Sequence, residues 1–465
     1  MKILILGGGP AGLGAAWRLN ELGHRDWHLL EANDYAGGLA SSFRDKNGFF
    51  WDIGGHVQFS HYEYFDALMH ALIPKDQWLV HERESWVWLR DRFVPYPFQN
   101  NIRRLPPEDF ARCLRGLVEA SKHGSRPANF KEWVLATFGS GIAEVFLLPY
   151  NFKVWAYPPE ELSHGWVGER VAIVDLDRVL ENILLQRDDV SWGPNHVFQF
   201  PKHGGTGAIW RACAARLPKH HLHFDNAVQR IDPRSRSVRT IDGRTWNYDA
   251  MVSTLPLAEL LRLGAYDEFA RIADRDLRYS SANIIGIGLK GRPPEHLRTK
   301  CWMYFPENNC PFYRVTVFSN YSPHNVPDVA NTWSLMAETS ESQVKPVDHS
   351  RLVQQTIDGL HNTQLINGDE IVSTWSYRAK YGYPTPSLRR DAALTQILPA
   401  LESDHIYSRG RFGAWKYEVS NQDHSFMQGL EIVERLLHRQ PEITFADSNH
   451  ANSRKHPFPF ERWVK

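Results

Sequence analysis

The sequence predicts an α/β protein: a Rossmann-like dinucleotide-binding domain that carries a mostly helical insert domain and an antiparallel β-sheet domain. Three observations predict it. Residues 2–31 read as an apolar run, a glycine turn, a helical stretch and a second apolar run. Residues 105–190 place apolar side chains at helical spacing between helix-start and helix-stop residues. Residues 280–340 break into short β-rich segments separated by turn residues. At 465 residues the chain exceeds the usual size of one compact domain. The expected division is discontinuous, with 1–65, 195–275 and 400–450 in the dinucleotide-binding domain. Residues 66–194 form the helical insert and 276–399 the sheet domain.

Each element has a local cause. Residues 2–6 form a strand whose unbroken apolar character suits a parallel strand buried on both faces. Ala11, Ala15, Ala16, Leu19 and Leu22 give 10–22 one helical face, and Gly23 ends it. Residues 27–31 complete a βαβ unit and end in Glu31. Pro106 and Pro107 open a helix with an apolar stripe of Phe110, Leu114, Leu117 and Val118. Asn129 and Glu132 form a capping box, Gly139 closes that helix, and Pro149 is expected to stop the next one. Segments 283–290, 301–305, 311–319 and 332–339 suggest an antiparallel meander, 245–256 a strand, and 421–438 a loop running into a helix.

Composition narrows the class. Lys plus Arg and Asp plus Glu both number 53, so no general positive field invites nucleic acid or an anionic membrane. Cys113, Cys213, Cys301 and Cys310 form no C-x-x-C pair, no metal pattern is completed, and free buried thiols in a reducing, cytoplasmic compartment are expected. No sequence run is read as approaching the roughly 18 apolar residues of a membrane span.

Gly7, Gly9 and Gly12 form G-x-G-x-x-G between strand and helix. Gly7 permits the tight turn, Gly9 lets the backbone approach a pyrophosphate, and Gly12 packs helix against strand. Glu31, 19 residues after Gly12, is placed to accept from a ribose hydroxyl. The following Gly37-Gly38-Leu39-Ala40-Ser41-Ser42 resembles the extended FAD fingerprint of amine-oxidase-like flavoproteins, and Thr254-Leu255-Pro256 resembles the return of the chain to the adenosine side in that superfamily. The resemblance implies FAD, with Gly38, Leu39 and Ser41 among its binding residues.

Further motifs follow in order: Asp52-Ile53-Gly54-Gly55-His56-Val57, Phe59-Ser60-His61-Tyr62, Val94-Pro95-Tyr96-Pro97-Phe98-Gln99-Asn100-Asn101 and Pro149-Tyr150-Asn151-Phe152-Lys153-Val154-Trp155. Then come Gly168-Glu169-Arg170, Trp192-Gly193-Pro194-Asn195, Phe312-Tyr313-Arg314, Gly382-Tyr383-Pro384-Thr385-Pro386, and Gly410-Arg411-Phe412-Gly413 through Tyr417, Asn421, Gln422, Asp423 and His424. Together they resemble the UDP-galactopyranose mutase family, of the fungal and eukaryotic kind, across residues 3–430. The resemblance implies interconversion of UDP-galactopyranose and UDP-galactofuranose by reduced FAD, whose N5 attacks the anomeric carbon and displaces UDP. It implies NADPH as reductant and leaves a homo-oligomer open.

Site roles carry over from that resemblance. Arg170 and Arg314 clamp the diphosphate with Tyr383, Tyr417 and Asn421, and a planar guanidinium suits that task. Tyr96, Phe98, Gln99, Asn151 and Trp155 resemble the uridine pocket, with Trp302 and Tyr304 as walls. Gly55, His56, Arg411, Asn421 and Gln422 resemble flavin-side residues. Phe59 and His61 resemble substrate-side neighbours, and Asn195 a flap over the sugar. The alternatives are an FAD amine oxidase or protoporphyrinogen-oxidase-like enzyme, a mutase acting on a related nucleotide sugar, and a flavin- or nucleotide-sugar-binding protein without turnover.

Overall fold

The computed structural model describes residues 1–122, 124, 126–190, 193 and 196–457. Its organising element is a five-stranded parallel sheet in the order Ile406–Ser408, Ala250–Ser253, Ile3–Leu6, Trp27–Leu30, Leu222–His223. Alternate residues of the first strand feed opposite cores, as a strand buried on both faces requires. Ile3 and Ile5 pack under helices Pro10–Glu21, Gly207–Ala215 and Gln422–His438. Leu4 and Leu6 pack under helices Leu257–Leu263, Asp267–Asp276 and Arg390–Ser403.

A seven-stranded sheet lies beside it, ordered Ile371–Pro384, Tyr279–Lys290, Thr332–Glu341, Arg314–Val317, Trp302–Tyr304, Ser85–Leu89, Arg92–Pro95. The expected meander is there, with antiparallel pairing from 279–290 through 302–304. Two additions were not expected. Ser85–Leu89 and Arg92–Pro95, assigned by sequence to the helical insert, extend this sheet, the former pairing parallel with Trp302–Tyr304. The edge strand Ile371–Pro384 alternates partly buried Trp375 and Tyr377 with exposed Thr374, Ser376 and Arg378.

The helical layer holds Pro107–Ala120, Phe130–Ile142, Leu148–Trp155 and Leu176–Leu184. Asn129 caps as expected: its side chain accepts from the Glu132 amide at 2.9 Å, while Glu132 reaches back to the amide of Ala128. Gly139 interrupts the helix at φ +72°, where a Cβ would overlap the backbone of Gly116. Pro149 does not stop a helix. It stands in the first turn of Leu148–Trp155, directly after a π-helical stretch at Ala143–Leu147. A first-turn position spares proline its missing N–H. Across these joints, Phe130–Trp155 is the one run among the described residues long and apolar enough to cross a membrane, contrary to the sequence expectation. Its apolar side chains instead line a core with Phe98, Leu117 and Trp166.

Candidate active site

A cavity of about 820 Å3 runs between the parallel sheet, the large sheet and the helical layer. At one end are Gly7, Gly9, Glu31, Gly38 and Leu39, with Thr254, Leu255 and Pro256 beside the Gly7 turn. Gly12 is one layer back. A Cβ there would overlap the carbonyl oxygen of Gly7, so the glycine permits the close crossing of turn and helix. Ser41 is buried and donates to the Ala36 carbonyl at 3.4 Å, and it does not reach the cavity wall. Glu31 accepts from the amides of Gly8 at 2.6 Å and Asn33 at 2.9 Å, which fixes its carboxylate at the end of its strand.

These residues fit a dinucleotide. The helix Pro10–Glu21 starts at Gly9 with no side-chain cap, and Gln422–His438 starts at Asn421 with none, so both leave backbone donors facing the cavity. Uncapped helix starts favour anions such as a pyrophosphate. Gly9 meets the 37–38 turn across 3.8 Å of its hypothetical Cβ, leaving a glycine-lined cradle.

The middle of the cavity is lined by Gly55, His56, Arg411 and Gln422. The Gly55 amide donates to Glu338 at 3.0 Å, and Gln422 accepts from the Trp210 indole at 2.7 Å. Burial, with the charges of Arg411 and Arg314 added and Glu338 opposing, pulls His56 down to about 4, so its ring is neutral. Its Nδ1 is buried with no protein partner among the described residues.

At the far end a connected polar cluster forms. Arg314 donates through Nε and Nη2 to Glu338, both at 2.8 Å. The Tyr313 hydroxyl donates to Glu338 at 2.8 Å and lies 3.4 Å from that of Tyr383. Arg411 stands over Tyr383 at 5.0 Å and Tyr417 at 5.8 Å, and Arg170 over Tyr417 at 5.4 Å. Arg170 also donates to the Glu418 carbonyl at 2.8 Å. The two arginines thus face the cavity already tethered, because a buried cation without a partner is costly. Burial opposes the charge on Arg314, yet Glu338 outweighs it and holds the guanidinium protonated. Glu338 is correspondingly held below the usual carboxylate range, the Arg314 charge overcoming burial.

Tyr96, Gln99, Asn151, Trp155, Trp302 and Tyr304 line an aromatic recess beside this cluster. Trp155 is held edge-on by Trp166, Tyr383 and Tyr417 at 5.0, 5.9 and 4.8 Å. Gln99 Oε1 and Trp302 Nε1 are buried without partners among the described residues, as groups awaiting a polar ligand would be.

Two expected substrate-side residues are elsewhere. Phe98 is buried in the helical core against Phe146, because its side chain points opposite to Tyr96 and Gln99. His61 stands behind the wall, bonded to Asp423 and Glu169, while Phe59 does line the cavity. Asn195 lies outside the described residues. His61, Asp423 and His424 also bring three potential metal ligands together, but both His61 nitrogens are engaged by carboxylates. Glu338, Tyr150, Arg83 and Glu169 line the cavity without having been singled out as site residues. Glu338 has a signal only in register: it is the direct cross-strand partner of Arg314.

A family model for flavin-containing amine oxidoreductases matches residues 10–407. A crystal structure of reduced UDP-galactopyranose mutase is 51% identical, covers 98% of each chain and superposes with a TM-score of 0.96. A protein from Exiguobacterium sp. 255-15, described as a protoporphyrinogen oxidase, is 15% identical over 94% of this chain and 99% of its own, with a TM-score of 0.69, and so shares the fold alone. The 15-cis-phytoene desaturase of Glycine max is 39% identical over 83 residues, 17% of this chain and only 14% of the desaturase.

Proposed function

The chain belongs to the UDP-galactopyranose mutase family, within the flavin-containing amine oxidoreductases, and we infer that it is an FAD-dependent isomerase interconverting UDP-galactopyranose and UDP-galactofuranose. The observation that carries this reading is one cavity with a dinucleotide cradle at one end and the Arg170, Arg314, Tyr383 and Tyr417 cluster at the other. Bound, reduced FAD supplies the nucleophile that displaces UDP from the anomeric carbon. The protein's own work is to hold the cofactor, seat the nucleotide and receive the leaving charge.

Gly7, Gly9, Gly38 and the two uncapped helix starts hold the FAD pyrophosphate, and Glu31 accepts from its ribose. His56 lines the cavity as a neutral imidazole and would meet the flavin without adding a charge that competes with the substrate. Tyr96 and Trp155 supply faces and edges for the uracil, Gln99 and Asn151 amides to read it, and Trp302 an N–H. Arg170 turns its fork toward the diphosphate, and Arg314 offers Nη1, the nitrogen outside its pair with Glu338. Tyr383, Tyr417 and Asn421 complete the grip. Negative charge grows on UDP as it leaves, so cations fixed there stabilise the transition state more than the ground state. NADPH is the reductant. Four buried unpaired thiols support a reducing compartment such as the cytoplasm.

Thermal shift tests the reading. UDP should raise the melting temperature of the yellow, FAD-loaded protein, and candidate amines should not. Stabilisation by amines with no response to UDP would favour an amine oxidoreductase instead.

A further inference from the structure

His61 is buried, and both of its ring nitrogens face carboxylates. Nδ1 is 2.8 Å from Asp423 Oδ2, and Nε2 is 3.0 Å from Glu169 Oε1. A neutral imidazole has one N–H and would turn a lone pair toward one of those anions, so only the doubly protonated ring satisfies both. The backbone fixes its position. The His61 amide donates to the same Asp423 oxygen at 3.0 Å, and the His61 carbonyl accepts from the His456 amide at 2.6 Å.

The charged and titratable groups around this ring come from four places. Helix Gln422–His438 contributes Asp423 and His424, the turn Gly168–Arg170 contributes Glu169 and Arg170, the C-terminal segment contributes His456, and the neighbouring Tyr62 meets the ring edge-on at 6.4 Å. His424 stacks on His61 at 4.7 Å. Burial lowers His424 to about 3 against the pull of Asp423, with the His61 charge assisting, so it stays neutral. Burial also works against a charge on His61. The hydrogen bonds and charges of Asp423 and Glu169 outweigh it and hold the ring up to about 9.

Glu169 and Asp423 both border the cavity, and Glu169 directly precedes Arg170. Left bare, these carboxylates would compete for the guanidinium and repel an anionic ligand. We propose that His61, as an imidazolium, is a positioning residue that engages Glu169 and Asp423 so that Arg170 meets the substrate diphosphate rather than its neighbouring carboxylates. This rests on the UDP-sugar reading and changes His61 from a substrate contact into a device for placing charge.

The folded ring binds its proton more tightly than a free histidine at about 6.5, so the cation is present through neutral pH and is lost as pH rises through about 9.

The test is UDP affinity of the FAD-loaded protein, by titration calorimetry, for wild type, His61→Gln, Glu169→Gln and the double variant. Wild-type affinity should fall as pH rises through about 9. At neutral pH His61→Gln should weaken UDP binding on the order of tenfold, and adding Glu169→Gln should restore most of the loss. A purely structural role would not be rescued by removing a second side chain. If His61→Gln does not fold, Glu169→Gln alone decides: it should move the alkaline inflection to lower pH, since the ring loses one of its two anions. Unchanged UDP affinity in His61→Gln, no rescue in the double variant, or an unmoved inflection in Glu169→Gln would overturn the proposal. A wild type that does not bind UDP at all would instead fail the substrate reading on which the proposal stands.

Discussion

Arg314 and Arg170 face one cavity but are held differently, and their alanine variants should separate accordingly. Arg314 is the partner of the buried carboxylate Glu338. Arg314→Ala leaves that charge stranded and should cost about 3–5 kcal/mol of stability, read as a fall in melting temperature. Arg170 gives up one hydrogen bond to a carbonyl and one ring contact. Arg170→Ala should therefore keep its melting temperature and FAD content while losing roughly a hundredfold or more in turnover, with Arg170→Lys in between. Trp155 is almost wholly buried among aromatic rings, so Trp155→Ala would remove core packing worth about 3–5 kcal/mol, whatever it does to the proposed uridine site. Trp155→Phe is the informative variant: it should weaken UDP binding with little change in FAD content. Short motifs were legible wherever neighbours along the chain complete the chemistry, as at Gly7-x-Gly9 or Asn129 with Glu132. Glu338 and the burial of His61 were not legible, because their partners are supplied by register and by a distant helix. Phe98 was misplaced for a related reason: a motif reveals its members together but not which way each side chain turns.

Helix Gln422–His438 lies against Pro10–Glu21 with glycines at the crossing. A Cβ on Gly429 would overlap the carbonyl of Ala11, and one on Gly14 the carbonyl of Phe426. Gly429→Ala should push the helices apart, costing about 1–3 kcal/mol or more, and should lower FAD occupancy because Asn421 and Gln422 ride on the displaced helix. The same helix buries Glu431, whose carboxylate oxygens accept from the amide and hydroxyl of Thr444 at 2.9 and 2.7 Å. Burial raises this group from 4.5 to about 8, so the folded state holds a proton that the unfolded chain releases earlier. That contribution to stability is present below about 4.5 and is lost as pH rises toward 8. Glu431→Gln should flatten this part of the melting-temperature profile, and equal pH dependence in variant and wild type would contradict the assignment. Helices and the meander were legible from periodicity and caps. The parallel pairing of Ser85–Leu89 with Trp302–Tyr304 was not, since strands some two hundred residues apart leave no local mark of their union. Proline usually ends a helix, so Pro149 reads as a stop from sequence, whereas it begins one behind a π turn.

The parallel sheet draws strands from residues 3–6, 27–30, 222–223, 250–253 and 406–408, so the dinucleotide cradle is assembled from both halves of the chain. The helical layer and the large sheet are threaded between those strands, and the cavity runs where the three meet. This arrangement places the cofactor cradle and the arginine–tyrosine cluster in one cavity, as displacement of UDP by the bound cofactor requires. The protein should be loaded with FAD, reduced with dithionite without oxygen, incubated with UDP-galactofuranose, and the nucleotide sugars separated chromatographically. UDP-galactopyranose should form over many turnovers with the reduced protein, without further consumption of reductant, and should not form with the oxidised protein. Equal conversion by oxidised protein, or none by fully reduced and FAD-loaded protein, would contradict the assignment.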